Sequence, residues 1–84
     1  MRVELFGVSR QRAGTAALEL DAATLGDVVL SLGARFPAMR DLIERDRLHP
    51  VLTASLNGDR FVSDPKTPIR ADDCVLILSA DAGG

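Results

Sequence analysis

The C-terminal residues carry the most specific chemistry in the sequence. Residues 80–84 follow the apolar run 74–78, so a predicted buried strand gives way within a few positions to small residues and a terminal carboxylate on Gly84. Because glycine has no Cβ, a Gly-Gly pair can adopt backbone conformations closed to other residues and can thread a narrow slot. We therefore predict a domain over residues 1–79 and a flexible tail over residues 80–84. The residues expected to thread into a partner's active site are Asp81, Ala82, Gly83 and Gly84.

The other reactive side chains are isolated. Cys74 is the only cysteine, so the sequence offers neither an intramolecular disulfide nor a zinc site built from several cysteines. It begins an apolar run, and buried structural thiols are usually inert. His49 is the only histidine and cannot form a metal site or a triad by itself. Arg10 and Arg12 could contact an acidic partner or a phosphate, but a solvated loop explains them more simply. We therefore predict no metal site, no bound cofactor and no catalysis by the chain alone.

Charge and composition argue against two classes of partner. The 84 residues carry a formal net charge of -2, with three phenylalanines and no tryptophan or tyrosine. Nucleic-acid binding needs a basic surface and commonly uses stacking aromatics, and neither pattern is present. No apolar stretch is long enough to span a bilayer, and Glu4 interrupts the N-terminal residues where a signal peptide needs a continuous apolar run. These features favour a cytoplasmic protein of one domain.

The first half of the chain predicts a hairpin followed by a helix. Residues 2–8 alternate as a strand, residues 9–14 suit a polar loop or short helical turn, and residues 15–20 suit a second strand. Thr24 is typical of a helix N-cap, with Asp27 at the third helical position. Apolar residues then recur at the spacing of one helical face until Pro37 ends the helix: Leu25, Val28, Val29, Leu32 and Phe36. A second helical piece is predicted after the proline, with three residues directed inward: Met39, Leu42 and Ile43.

The second half predicts another hairpin and a final strand. Residues 51–56 alternate and run into Asn57-Gly58, the strongest short signal for a β-hairpin. Residues 59–62 would form the return strand, and Ile69 would anchor the crossing to the last strand at residues 74–78. A last strand inserted beside the first would make a parallel pair. This order predicts an α+β domain of the β-grasp, or ubiquitin-like, type: a mixed sheet with helices across one face.

A series of short pieces shares its order and spacing with a known family. The pieces are residues 3–7, Arg10, residues 13–14, 35–37, 56–58, 68–69, 71–73 and 83–84. On these pieces the chain resembles the MoaD/ThiS family of ubiquitin-like sulfur carriers, and most of all the small subunit of molybdopterin synthase, because thiamine-pathway carriers are usually shorter in the helical region. Residues 79–82 stand where that branch usually has prolines. Carriers for thiamine thiazole or cysteine synthesis, and a non-conjugating ubiquitin-like binding module, therefore stay open as alternatives.

The resemblance implies a carrier that works only with partner enzymes. An E1-like adenylating enzyme would consume ATP to convert the Gly84 carboxylate into an acyl-adenylate. Sulfur from a persulfide protein would then displace AMP and leave a thiocarboxylate. The large subunit of molybdopterin synthase would bind the tail in a hetero-oligomer and use it to place sulfur on a cyclic pterin precursor. A donor held in a pocket has the orientation that free sulfide lacks.

A carrier must also dock on these partners. If alternate residues of the last strand face the helices, then Leu76 and Leu78 share the opposite face with Phe6, and Val8 lies near its edge. The resemblance implies that such an apolar sheet face meets both the activating enzyme and the synthase subunit. These residues could instead be covered by a loop, or be scattered surface apolars that need no explanation. Because three large apolar groups converge on one face, we predict a partner-binding face formed by Phe6, Val8, Leu76 and Leu78.

Overall fold

Residues 1–80, which the computed structural model describes, form seven short strands, two α-helices and a 3₁₀ helix. In chain order the elements are β1 (Arg2–Leu5), α1 (Gly7–Ala13), β2 (Ala17–Glu19), α2 (Leu25–Arg35), the 3₁₀ helix (Pro37–Leu42), β3 (Ile43–Glu44), β4 (Arg47–Leu48), β5 (Leu52–Leu56), β6 (Arg60–Val62) and β7 (Cys74–Ser79).

Five of the strands form one mixed sheet in the order β2-β1-β7-β5-β6. β1 and β7 are parallel neighbours, whereas the other neighbouring strands are antiparallel. Asn57 and Gly58 have φ angles of 57° and 74° and form the predicted tight turn between β5 and β6. The parallel pairing of the first strand with the last confirms the α+β, β-grasp topology expected from the sequence.

The helices cover one face of this sheet, called here the inner face. Four inner-face residues of β1 and β7 are each 0% exposed: Val3, Leu5, Val75 and Ile77. The α2 helix begins where the hydroxyl of Thr24 accepts the N–H of Asp27, as its sequence predicted. Val29 of α2 is buried, and three residues of the apolar stripe beside it pack into the same interior: Leu25, Val28 and Leu32. Aliphatic side chains therefore fill the core of a protein that has few aromatics.

The first strand ends earlier than its alternation predicted. β1 stops at Leu5, and Phe6 keeps an extended backbone as the N-cap residue of α1. Gly7 then turns the chain with a φ of 56°, and a Cβ at this position would lie 2.5 Å from the Oγ of Ser79. Glycine meets both the backbone requirement and the close approach to the end of β7. The predicted polar loop or short helical turn is a helix that ends at Gly14, whose φ is 73°.

The segment after α2 is tighter and more varied than the predicted second helix. Pro37–Leu42 forms a 3₁₀ helix that buries Met39 and Leu42. Ile43, predicted on the same helical face, instead begins a two-stranded ribbon made of β3 and β4. The turn of this ribbon holds Arg45 at a φ of 61°. Three apolar residues within five positions fit a helix and a helix-to-strand change equally well, so the spacing could not predict the ribbon.

Candidate functional site

The face of the sheet turned away from the helices, called here the outer face, carries large apolar side chains. Leu76 lies in one cross-strand row with Ser55 and Phe61. Leu78 is the next outward residue of β7, and the extended Phe6 continues the outward alternation of β1. Phe6, Leu76 and Leu78 are half-buried, whereas Phe61 is 72% exposed. The outer face thus presents apolar surface to solvent from both β7 and its flanks.

Arg10 fixes the position of Phe6. Its Nε donates a hydrogen bond to the carbonyl oxygen of Leu5 at 2.8 Å. Its guanidinium carbon lies 5.2 Å from the centre of the Phe6 ring, within the range of a cation–π interaction. Arg10 is thus a helical residue that holds an outer-face aromatic in place, rather than a cation in a solvated loop.

Arg12 ties α1 to the 3₁₀ helix. Its Nη1 donates to Oδ1 of Asp41 at 2.6 Å and to the carbonyl oxygen of Ala38 at 2.8 Å. The hydrogen bond from Arg12, together with its charge, holds the pKa of Asp41 below the usual 3.8. The pair is solvent-exposed, so its contribution to stability is small. Its role is to connect two elements on the helix side of the domain.

The thiol of Cys74 lies at the start of β7, among charged groups. Its Sγ is 3.6 Å from Oε2 of Glu4, and the Nε of Arg2 is 3.7 Å from the same oxygen. Partial burial, and then the negative charge of Glu4, raise the pKa of the Cys74 thiol above its usual 9.0. A protonated thiol is a poor nucleophile, and the position accords with an inert structural cysteine.

The end of β7, from which the tail departs, is fastened on two sides. The Oγ of Ser79 accepts the N–H of Val8 at 3.4 Å. The N–H of Ala80 donates to the carbonyl oxygen of Val51 at 2.8 Å. The chain is therefore held through Ala80, two residues after Leu78 and its outer-face side chain. The tail residues predicted to carry the chemistry lie outside the described residues: Asp81, Ala82, Gly83 and Gly84.

The structure brings together most of the predicted partner-binding face and adds one residue to it. Phe6, Leu76 and Leu78 lie on the outer side of the sheet, but Val8 lies in α1, half-buried against the core. Val8 is placed there because a helix replaces the strand from Gly7 onward. Sequence reasoning missed Phe61, although alternation carried across the Asn57-Gly58 turn points it outward, opposite Ser55.

Residues 1–80 contain no cluster of histidine, cysteine and acidic side chains that could hold a metal ion. The Nδ1 of His49 accepts the N–H of Val51 at 3.1 Å. No helix in this part of the chain is long and apolar enough to cross a membrane.

The parallel pairing of β1 with β7, the helices over one sheet face and the open apolar opposite face define a ubiquitin-like protein of the β-grasp class. Comparison of sequences then finds that the ThiS family matches residues 3–84, which includes both C-terminal glycines. The chain belongs to the ThiS family, within the ubiquitin-like sulfur carriers.

Solved structures with the same fold align with nearly the whole chain. The chain is similar to the small archaeal modifier protein 1 from Methanosarcina acetivorans, with 27% identity, a TM-score of 0.80, and coverage of 99% of this chain and 94% of that chain. It is 23% identical to a chain of the Amycolatopsis orientalis BexX/CysO complex (TM-score 0.79, coverage 99% and 98%). It is 20% identical to a putative molybdopterin converting factor, subunit 1, from Pyrococcus furiosus (TM-score 0.77, coverage 93% and 93%). No curated protein matched the sequence.

Proposed function

We propose that the protein carries sulfur as a thiocarboxylate on Gly84 and donates it to the assembly of molybdopterin, as the small subunit of molybdopterin synthase. The observation that carries this proposal is the position of the two terminal glycines. They end the family match over residues 3–84, and they follow β7, the strand that bears Leu76 and Leu78 on the outer face. The domain would dock, and the tail would deliver its carboxylate into an active site that belongs to the partner.

The Gly84 carboxylate needs activation because its charge is delocalised and oxide is a poor leaving group. On an E1-like enzyme, a carboxylate oxygen attacks the α-phosphorus of ATP, pyrophosphate leaves, and an acyl-adenylate forms. The terminal sulfur of a persulfide protein then attacks the acyl carbon and AMP leaves, which gives an acyl disulfide. A further thiol attacks the donor's sulfur in that disulfide and is oxidised to a disulfide with it, while the thiocarboxylate departs with the electron pair. The activating enzyme consumes the ATP, and the carrier needs no cofactor of its own.

The outer face would bind both the activating enzyme and the large synthase subunit. A partner that covers Phe6, Leu76 and Leu78 removes apolar area from water without unfolding the domain. Arg10 holds the Phe6 ring in place, so less side-chain freedom is lost on binding. Beyond Ala80, which is bonded to Val51, the four remaining tail residues could extend about 13 Å at ~3.3 Å per residue. That reach is enough to cross the rim of an active site.

Two features bear on the choice of pathway. Thiamine-pathway carriers are usually shorter in the helical region, whereas this chain places a 3₁₀ helix and the β3-β4 ribbon between α2 and β5. These additional elements favour the molybdopterin branch over the thiamine branch. Residues 79–82 lack the prolines common before the Gly-Gly of molybdopterin carriers. That departure keeps carriers for cysteine or thiamine thiazole synthesis as the alternatives.

The carrier role is tested by intact mass after incubation with ATP, an E1-like enzyme and a persulfide donor. We expect exchange of one oxygen for sulfur, located at Gly84 by fragmentation of the C-terminal peptide. Gly83→Val and Gly84→Val should keep the fold and abolish transfer, because a side chain obstructs the slot, whereas Ala80→Val should retain it. A normal thiocarboxylate on either glycine variant would contradict the threading proposal. Unchanged mass of a wild-type chain that still binds through its outer face would indicate a non-conjugating binding module.

The pathway is tested by supplying the thiocarboxylated protein to different acceptor systems. With the large subunit of molybdopterin synthase and the cyclic pterin precursor, we expect stoichiometric loss of the carried sulfur and its appearance in the pterin. Loss of sulfur only to a cysteine-forming or a thiazole-forming system would reassign the pathway and leave the carrier chemistry intact.

A further inference from the structure

The helix side of the domain carries a second concave surface, which no step of sulfur transfer uses. It is an open cavity of about 310 Å³ between α2, the 3₁₀ helix and the ribbon. We call it the helix-side groove, and its lining residues are Leu30, Gly33, Ala34, Arg40, Ile43 and Arg45. Because α2 covers the inner face of the sheet, this groove and the outer face lie on opposite sides of the domain.

The apolar part of the helix-side groove is exposed. Leu30 projects from α2 away from the buried stripe and is 53% exposed, one of three exposed large apolar residues within residues 1–80. Ile43 and Ala34 lie beside it in the groove. Phe61, another member of that set, belongs to the outer face. Leu30 therefore stands on a separate apolar surface.

Gly33 gives the helix-side groove its depth. It occupies the interior of α2, where glycine is less stable than alanine. Its φ is not in the left-handed range, and a Cβ would meet only the Cδ1 of Ile43, at 3.4 Å, which is ordinary contact. Neither backbone geometry nor packing in residues 1–80 requires glycine at this position. The missing side chain leaves the backbone of α2 as the floor of the groove, beside the Cδ1 of Ile43.

The charges around the helix-side groove have one sign. Arg40 is held over the C-terminal part of α2 by a hydrogen bond from its Nε to the carbonyl oxygen of Gly33 at 3.1 Å. Arg45 stands at the ribbon turn and lines both the groove and an adjacent cleft, whereas the neighbouring Glu44 and Asp46 line that cleft but not the groove. The ion pairs found within residues 1–80 involve neither arginine. A chain of net charge -2 thus places two cations, and no carboxylate, around an apolar depression.

We propose that the helix-side groove is a second docking site, which takes an acidic segment of a partner protein. An aliphatic side chain of the segment occupies the space above Gly33 beside Leu30 and Ile43, and flanking carboxylates pair with Arg40 and Arg45. The attraction between the two guanidinium groups and the carboxylates selects acidic over basic segments. Because the site lies opposite the outer face, the segment can remain bound while the outer face is docked on an enzyme. The proposal does not depend on sulfur transfer.

The test uses amide chemical shifts of the ¹⁵N-labelled full chain during titration with two capped peptides. One is acetyl-Glu-Leu-Leu-Glu-amide and the other is acetyl-Lys-Leu-Leu-Lys-amide. We expect saturable shifts at Leu30, Gly33, Ala34 and Ile43 with the acidic peptide only. Equal shifts with both peptides, or none with either at millimolar concentration, would overturn the proposal. Saturable binding of pyrophosphate at the same amides, undiminished by Leu30→Ser, would overturn it in favour of a phosphate ligand.

Variants separate the groove from general effects on folding. Gly33→Ala should raise the melting temperature, because alanine favours the helix. The same variant should weaken binding of the acidic peptide, because the added methyl group partly fills the groove. Arg40→Gln combined with Arg45→Gly should weaken it about tenfold, as expected from the loss of two surface ion pairs, and glycine suits the positive φ at position 45. Arg70→Gln, an exposed arginine elsewhere, serves as the charge control, and Leu78→Asp should leave peptide binding unchanged. Tighter peptide binding by Gly33→Ala, or no loss with the double arginine variant, would contradict the proposal.

Discussion

The two faces of β7 carry similar side chains but differ in burial. Val75 and Ile77 point to the inner face and are 0% exposed, whereas Leu76 and Leu78, which alternate with them, are half-buried on the outer face. All four are aliphatic, so residue type does not distinguish the two sets. The difference arises because α2 covers one face, and within residues 1–80 no helix covers the other.

Residues of the two faces can contribute to different properties of the protein, namely stability and partner binding. Inner-face residues lost their contact with water when the domain folded, so their apolar area already contributes to folding. The exposed part of the outer-face residues can contribute only when another molecule covers it. A variant of an inner-face residue should therefore reduce stability more than partner binding. A variant of an outer-face residue should reduce partner binding more than stability.

The largest expected effect separates the two faces at adjacent positions. Ile77→Ala leaves a cavity among fully buried side chains and should lower the free energy of unfolding by about 2–5 kcal/mol. Leu78→Ala removes a half-buried side chain and should cost about 1 kcal/mol, while weakening binding to the activating enzyme. Chemical denaturation and calorimetric titration measure the two quantities. Equal destabilisation by both variants would show that the outer-face residue contributes as much to folding as the inner-face residue does.

The next effect concerns Gly7, where β1 gives way to α1 beside the end of β7. Gly7→Ala forces alanine into a φ of 56° and places its Cβ 2.5 Å from Ser79 Oγ, so it should lower the free energy of unfolding by about 1–3 kcal/mol. Gly14→Ala is the matched control, because Gly14 has a φ of 73° with no atom within 4 Å of the added Cβ. The difference in free energy between the two variants measures the contact with Ser79. No difference would mean that this junction is looser than the structure describes.

A smaller effect on stability is expected at Phe61 on the rim of the outer face. Phe61→Ser removes a side chain that is 72% exposed, so the free energy of unfolding should change by no more than about 0.5 kcal/mol. The free energy of binding to the activating enzyme should become less favourable by about 1 kcal/mol or more if Phe61 belongs to the docking surface. Leu30→Ser, on the helix side, is the control and should leave that affinity unchanged. A loss of affinity with Leu30→Ser but not with Phe61→Ser would show that the enzyme binds the helix side of the domain and not the outer face.

The smallest effect concerns the thiol at the far end of the outer face. Glu4→Gln removes a negative charge 3.6 Å from Cys74 Sγ, so the thiol pKa should fall and alkylation by iodoacetamide should accelerate at a fixed pH below that pKa. Glu19→Gln, a more weakly coupled carboxylate, should have less effect. Because the folded pKa is raised, the stability linked to this thiol is present below about pH 9.0 and is lost as the pH rises through the folded pKa. An unchanged pH profile of alkylation in Glu4→Gln would show that burial alone sets the thiol pKa.

The sequence predicted those secondary-structure elements that are determined by a few neighbouring residues. The α2 helix followed from the Thr24 cap and the proline at position 37, and the second hairpin from Asn57-Gly58. The early end of β1 could not be predicted, because it depends on the contact of Gly7 with a residue 72 positions later. For the same reason Val8 was assigned to the wrong element. Phe61 was within reach of the sequence, since its position follows from the strand alternation beyond the turn.

We expect the outer face, rather than the stability of the fold, to govern loading of the tail. The most direct measurement is the rate of thiocarboxylate formation on Leu78→Asp, followed by intact mass at activating-enzyme concentrations below and above saturation. We expect a variant that stays folded with a melting temperature lowered by roughly 5–10 °C, as a loss of a little more than about 1 kcal/mol predicts, slow loading at low enzyme concentration, and recovery as the enzyme concentration rises. Loading at the wild-type rate at all enzyme concentrations, or unfolding of the variant, would contradict the assignment of the outer face as the docking surface.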